Sequence, residues 1–468
     1  MPTALTATPE ETLTKPTPRG TLTTRALFVA VAAALFGQPN AFFLYFPPYP
    51  ILMLLVIVFL CGLILSNTMS RRPITLPRIN LLLPTALFFV DSLFSLSYAP
   101  DPGYGVRILF SMLFKFLLFL AIVMACTRQE DLRKLLLIIT ILGGLFSLQG
   151  LLLIVGIVFF HLQPIGFVGS ISITGDSTTN QLDLVSYGVF GFVKMAYNIG
   201  GITLARCQGM FLEPGWLATF LELSMFATLG WQALAKHRHQ KLAYCLLGLQ
   251  TLAFLLSFSS GGFIAIGGGM IVYIGLRLWS RPGVLSRRRL TRLVGTITGV
   301  CAVLVLLALL FPTLTEQVYQ ALYLTKVTGD SSSGADRLTK AADGLSLFWQ
   351  RPIFGWGTNQ SQIVNGGRDT GNALLTAAAD LGVVGLAIYL AMIGAILWTA
   401  WTSLRLVHGL WLVERRGSDV AADLSAALVG CLTATLIHSM YVDTQWQFSY
   451  WISLALLYLN RRFLIRMS

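Results

Sequence analysis

Residues 331–385 read SSSGADRLTKAADGLSLFWQRPIFGWGTNQSQIVNGGRDTGNALLTAAADLGVVG. The first part of this stretch lies after one long apolar run, and its end enters another. It is itself too polar to cross a bilayer. Ser333 followed by Asp336 has the spacing of a capping box, which satisfies the first orphan amides of a helix. Leu338, Ala342, Leu345 and Trp349 then recur at helical spacing, predicting one apolar stripe on an amphipathic helix. Arg337 falls one residue off that stripe, at the boundary between membrane face and water. Arg351-Pro352 ends the helix, because proline disfavours the helical conformation of the residue before it. Phe354, Gly355, Trp356 and Gly357 predict a tight turn with aromatic walls. The pattern is that of a large loop between membrane spans.

Working outward, composition agrees. The chain has 468 residues, 55% hydrophobic and 11% charged, which excludes an ordinary soluble domain. Residues 1–24, rich in Thr and Pro, read as a disordered tail. The run from Ala26 leads into further apolar sequence and reads as an uncleaved membrane helix, not a signal peptide. Runs long enough to cross a bilayer occur at 26–46, 50–66, 81–97, 108–126, 135–160, 216–235, 242–258, 263–280, 293–312, 376–402, 421–441 and 447–464. The expected fold class is therefore all-α. Residues 25–468 form a single polytopic domain of about twelve transmembrane helices, with amphipathic helices in a large loop.

Charge placement orients the chain. With the N-terminus inside, alternate loops collect Arg71, Arg72 and Arg78; Arg128, Arg133 and Lys134; Lys236, Arg238 and Lys241; and the Arg-rich segment 277–292. Arg405, Arg415, Arg416, Arg461, Arg462 and Arg466 continue the series. The positive-inside rule then puts both termini in the cytoplasm, in an inner (cytoplasmic) membrane. It also accounts for most of the net charge of +13, so no nucleic-acid partner is expected. The six cysteines form no C-x-x-C or Cys/His cluster, and no disulfide framework or metal site follows.

This orientation leaves two long outer loops, 161–215 and 313–375, with a minor third at 98–107. In the second, Lys326, Arg337, Lys340, Arg351 and Arg368 nearly balance Glu316, Asp330, Asp336, Asp343 and Asp369. An anion site there must come from a few focused arginines. Leu314, Val318 and Leu322 extend the interfacial character to 314–326.

The first outer loop ends in Arg206-Cys207-Gln208-Gly209-Met210-Phe211-Leu212-Glu213-Pro214. This arginine, glycine, aromatic and acidic-Pro order before a membrane helix resembles the O-antigen ligase and polymerase superfamily. Arg337 on its loop helix, the turn of Pro352, Gly355 and Gly357, and Asn372 to Gly385 with Asp380-Leu381-Gly382 match further parts of the pattern. One position departs: where ligases of the superfamily carry a histidine before the asparagine, this chain has Gly371. His161 and His438 lie outside the motif. The Glu213-Pro214 form is more similar to exopolysaccharide and capsule polymerases.

The resemblance implies polymerisation of polyprenyl-diphosphate-linked oligosaccharide repeats into exopolysaccharide, capsule or O-antigen at the outer face of the membrane, by a metal-independent glycosyltransferase without a cofactor. A flippase and a chain-length regulator are the implied protein partners. Arg206, Arg337 and Glu213 are the implied catalytic residues, and Lys340, Trp356, Arg368 and Asn372 the substrate-binding ones. Guanidinium forks match diphosphate oxygens at two points and keep their charge. No P-loop, nucleotide-sugar motif or Asp-x-Asp is present in the sequence, as expected for a donor already activated as a lipid diphosphate.

Each residue also has a plainer reading. Arg206 and Arg337 could snorkel to headgroups or pair with an acid. Glu213 could be a general base or the helix cap before Pro214. Asp380 reads more simply as a helix-packing residue, and Ser259-Ser260-Gly261-Gly262 as a tight turn between helices. Asp91 and Glu222 lie within spans and are open between function and structural hydrogen bonding; Lys115 reads as snorkelling. Trp349, Trp356 and Tyr323 suit either sugar stacking or interface anchoring. Three function classes remain: the polymerase, a ligase transferring glycan from the lipid carrier to an acceptor, and a lipid-linked glycan flippase or other secondary transporter. A non-catalytic partner of an assembly machine is a further alternative. No internal repeat of the kind transporters carry is visible between the halves.

Overall fold

The computed structural model describes residues 31, 62, 79–160, 169–172, 184–188, 191–199, 202–209, 211, 213–235, 239–280, 332–413, 415–441 and 447–467. Apart from Val31 and Gly62, the expected tail 1–24, the spans 26–46, 50–66 and 293–312, and the interfacial segment 314–326 lie outside them.

Eleven helices are described: α1 Leu82–Ser95, α2 Pro102–Ala125, α3 Gln129–Phe160, α4 Pro214–Leu234, α5 Gln240–Leu256, α6 Ser260–Ser280, α7 Ser332–Gln350, α8 Gln360–Val364, α9 Ala373–Val413, α10 Arg415–His438 and α11 Phe448–Met467. Five segments within them are long and apolar enough to cross a membrane: 102–125, 129–156, 260–279, 373–410 and 419–438. Leucine- and phenylalanine-rich faces remain exposed, as on Leu83, Leu87 and Val90 of α1, where lipid takes the place of a protein partner. The chain is a multi-pass helical membrane protein.

The membrane part is helical, as expected, and one loop adds to that reading: within 161–215, strands β1 Gly169–Ser172, β2 Leu184–Gly188, β3 Gly191–Ile199 and β4 Ile202–Arg206 form an antiparallel meander in chain order. Short β-rich segments such as ITLAR escape a search for long apolar runs. Residues 98–107 are also not wholly a loop. Asp101 accepts a hydrogen bond from the Tyr104 amide at 3.0 Å and Pro102 takes the first helical position, so α2 starts within that segment.

Small residues bring α6 and α10 close together. A side chain on Gly269 of α6 would meet the Gly430 carbonyl of α10 at 2.6 Å, and the reverse distance is 2.9 Å. Such backbone approach is how helices gain contact area in lipid, where no hydrophobic force drives them together. Polar bonds tie others: Gln250 on α5 donates to the Thr140 carbonyl on α3, and Thr228 on α4 donates to Gln250. Between α2 and α11, Phe116, Phe119, Trp451 and Tyr458 form a chain of ring contacts. Lys115 does not snorkel. It is 3% exposed, donates to Ser111 and lies 5.5 Å from the Phe448 ring centre.

The bundle has two chemically different ends. At one, α2, α6, α9 and α11 finish and α3 and α10 begin; Arg277 pairs with Asp423, and Arg462 and Arg466 donate to carbonyls of Val123 and Thr127. At the other, the connections after α1, β4, α5, α7 and α10 meet.

Candidate functional site

The most sequence-distant residues of the site converge on the three-residue turn from α5 into α6 and the first residue of α6. β4 ends at Arg206, and the next amide, of Cys207, donates to the Leu256 carbonyl at 2.8 Å. That bond docks the end of the meander on the end of α5. Arg206 then donates through Nε to the Ser257 carbonyl at 2.9 Å and through a terminal nitrogen to the Phe258 carbonyl at 3.0 Å. Phe258 itself holds a positive φ of 48°, uncommon for a bulky residue and a mark of imposed conformation. From α7, Arg337 reaches the Ser260 hydroxyl at 3.4 Å and lies 5.6 Å from the Tyr441 ring centre. Ser260 is the first residue of α6, whose N-terminus adds a positive dipole end to the two guanidinium groups. Of the segment 259–262 read as a plain turn, 260–262 open α6, and Arg206 and Arg337 bond to residues on either side of Ser259.

α7 explains how Arg337 is held. Its apolar stripe faces away from the protein: Leu338 is 71%, Leu345 48% and Trp349 68% exposed. The opposite side is buried through Gly344, against Thr370 and Leu375, and through Leu347. A helix with a buried back and an unpartnered apolar front suits a membrane interface, and Arg337, half-buried, lies at its edge.

After Gln350 the chain turns under α9. Gly355 and Gly382 both have positive φ, 68° and 67°. A side-chain carbon on Gly355 would strike the Asp380 carbonyl, and one on Gly382 the Ile353 carbonyl. α9 kinks at Gly382, and the Val383 amide freed by the kink donates to the Pro352 carbonyl at 2.8 Å. The Asp380 carboxylate accepts from the amides of Asn359 (2.9 Å) and Ser361 (2.8 Å), fixing α8. Asp380 is therefore an organiser of the loop, in line with its plainer reading. From the other side, the Tyr98 hydroxyl donates to the Phe354 carbonyl, and Gln360 exchanges two hydrogen bonds with the Asp101 backbone.

The remaining candidates fall into place around this frame. Glu213 is exposed and occupies the cap position of α4, where its side chain makes no cap hydrogen bond. Lys340 pairs with Asp369 at 2.8 Å. Gly371, at φ 64°, would point a side chain at Lys340, 3.6 Å from its Cδ. Asn372 caps α9 by accepting from the Leu374 amide at 2.8 Å and donates to the Met440 carbonyl at 3.2 Å. Trp356 donates to the Leu347 carbonyl and carries the Arg351 guanidinium 4.0 Å from its ring centre. These bonds give Asn372 and Trp356 structural work. Arg368 is exposed, beyond α8. Burial pushes the Cys207 thiol up to about 12, which makes it inert as a nucleophile.

The buried pair of Glu222 and His438 has no counterpart in the sequence reading, which weighed each alone. Both are fully buried, and His438 Nδ1 and Glu222 Oε1 are 2.6 Å apart. The signal was an acid and an imidazole each in an apolar run; which two spans touch is not legible in a linear pattern.

Residues 243–390 match the family model described as O-antigen ligase, so the resemblance to the O-antigen ligase and polymerase superfamily is borne out over that segment. The match includes the α5–α6 turn, Arg337 and Asn372, and leaves out Arg206 and Glu213. No curated protein matches the chain.

Proposed function

We propose that this chain, with its O-antigen ligase segment at 243–390, is a glycan polymerase acting on repeats carried by a polyprenyl diphosphate at the outer face of the cytoplasmic membrane. The observation that carries the reading is that Arg206 and Arg337 both bond within 257–260, where α5 gives way to α6. Two guanidinium groups and a helix N-terminus form a place for a diphosphate, beside an amphipathic helix whose apolar front suits the lipid carrier. In glycosyl transfer the acceptor hydroxyl bonds to the anomeric carbon, the carbon–oxygen bond to phosphate breaks, and the lipid diphosphate leaves with the electron pair. Arginines at that spot stabilise the growing negative charge. Glu213, exposed at the head of α4, is the group proposed to take the hydroxyl proton.

Polymerase is preferred over ligase because Gly371 stands where a ligase carries histidine, beside Lys340 and not a titratable imidazole. The basic end of the bundle, with Arg277, Arg462 and Arg466, supports an orientation with the arginine site outside. Deleting the gene tests the reading. Chain products should vanish while single repeats accumulate on lipid carrier. If full-length chains still form and only fail to reach their acceptor, the ligase function replaces the polymerase.

A further inference from the structure

We infer that the buried pair of Glu222 and His438 is a positioning device for Arg337, acting through the turn that follows α10. The inference rests on the proposed role of Arg337. His438 is the last residue of α10, and its carbonyl accepts from the Tyr441 amide at 2.9 Å, closing a turn over 438–441. Three further segments rest on that turn. The Ser439 carbonyl accepts the Ala373 amide at 3.0 Å, and the Met440 carbonyl accepts from Asn372, so the turn seats the N-terminus of α9. Tyr441 packs against Gly261, where an added side-chain carbon would lie 3.0 Å from its Cβ, and so meets the first turn of α6. The same ring lies beneath the Arg337 guanidinium.

What sets the height and rotation of this turn is the bond from His438 to α4. Both side chains are fully buried, and Glu222 Oε2 has no hydrogen-bond partner among the described residues. The imidazole is thus the carboxyl group's one side-chain partner among them, while the Thr219 hydroxyl lies 3.4 Å from the ring. In a well-packed apolar interior a paired acid and base specify one arrangement of their helices, since any slip strands a polar group in hydrocarbon. Burial of His438 keeps it from reaching substrate. Its contribution runs through Tyr441 to Arg337, as a positioning residue and not a catalytic one.

The test is turnover on a defined lipid-linked repeat, measured per amount of monodisperse protein, in variants of the full-length chain. Glu222→Ala and Tyr441→Leu should each lower turnover about tenfold while leaving half-saturation by the lipid-linked donor within about twofold. Glu222→Gln keeps an acceptor for His438 and should recover at least half of the lost turnover. On an Arg337→Lys background, Tyr441→Leu should cost less than about twofold, because the group it supports is already impaired. A loss by the same factor in both backgrounds would overturn the inference and make the pair simply part of the packing. Should Glu222→Ala fail to fold, Tyr441→Leu, away from the buried pair, decides the matter alone. Failure of the polymerase reading itself shows separately, as wild-type protein that forms no chains.

Discussion

Among the described residues of the long loops, Arg206 and Arg337 are the cations seen to bond within 257–260. Arg351 lies on Trp356 and Lys340 on Asp369. A lysine keeps the charge but loses the planar two-point fork. Arg206→Lys or Arg337→Lys should each reduce polymer yield about tenfold to a hundredfold, the range of one charge-assisted hydrogen bond. Replacing both should cost far less than the product of the single losses, since groups acting on one leaving group are non-additive. Arg351→Lys should stay within about twofold, because an ammonium still sits on the Trp356 face. Polymer yield from a defined lipid-linked repeat, normalised for protein level, reads all three, and near-normal yield from both lysine variants at 206 and 337 would remove the shared site. The arginines themselves were legible from their order among motifs. That both would bond to 257–260 was not, because the turn carries no titratable residue to mark it.

At the scale of elements, the decisive contact is between the turn 351–357 and the kink of α9. Each strand of backbone leaves the other no room for a Cβ at Gly355 or Gly382. Gly382→Ala combines a forbidden φ with a clash against Ile353, and should cost more than about 2 kcal/mol. Thermal unfolding in detergent should show a clear fall in Tm, and an unchanged value would mean that the turn is not docked there. Asp380→Ala strips two amides of their acceptor and should cost about 1–3 kcal/mol by the same measurement. The amphipathic helix was readable from its stripe to within about two residues at either end, with the expected cap Ser333 falling inside it, since Pro352 punctuates its end and 3.6-residue periodicity needs no partner. The meander was not, because a strand's period of two over five residues is a weak signal beside runs of twenty apolar ones.

For the whole molecule, orientation is the property with the widest consequences. Single cysteines at positions 332 and 365, in a background without native cysteines, should react with an impermeant thiol reagent on intact spheroplasts, and one at position 288 should not. The reverse pattern would put the arginine site in the cytoplasm and end the proposal of a lipid-carried glycan donor outside. In the native chain Cys207 should stay unlabelled although it belongs to the other long outer loop, since it is buried and its thiol is held protonated.

By itself the sequence determined that this is a multi-pass membrane protein, where its described spans run, and which motifs carry its resemblance. Those follow from local physics: apolar length against bilayer thickness, and proline and glycine punctuation. Tertiary structure alone decided that the ends of β4, α5, α7 and α10 meet at one turn, that Asn372 is a cap and Lys115 is buried, and that Glu222 finds His438. These are contacts between segments far apart in the chain. In hydrocarbon every apolar helix looks alike to its neighbours, so only close packing and matched polar groups choose the pairs.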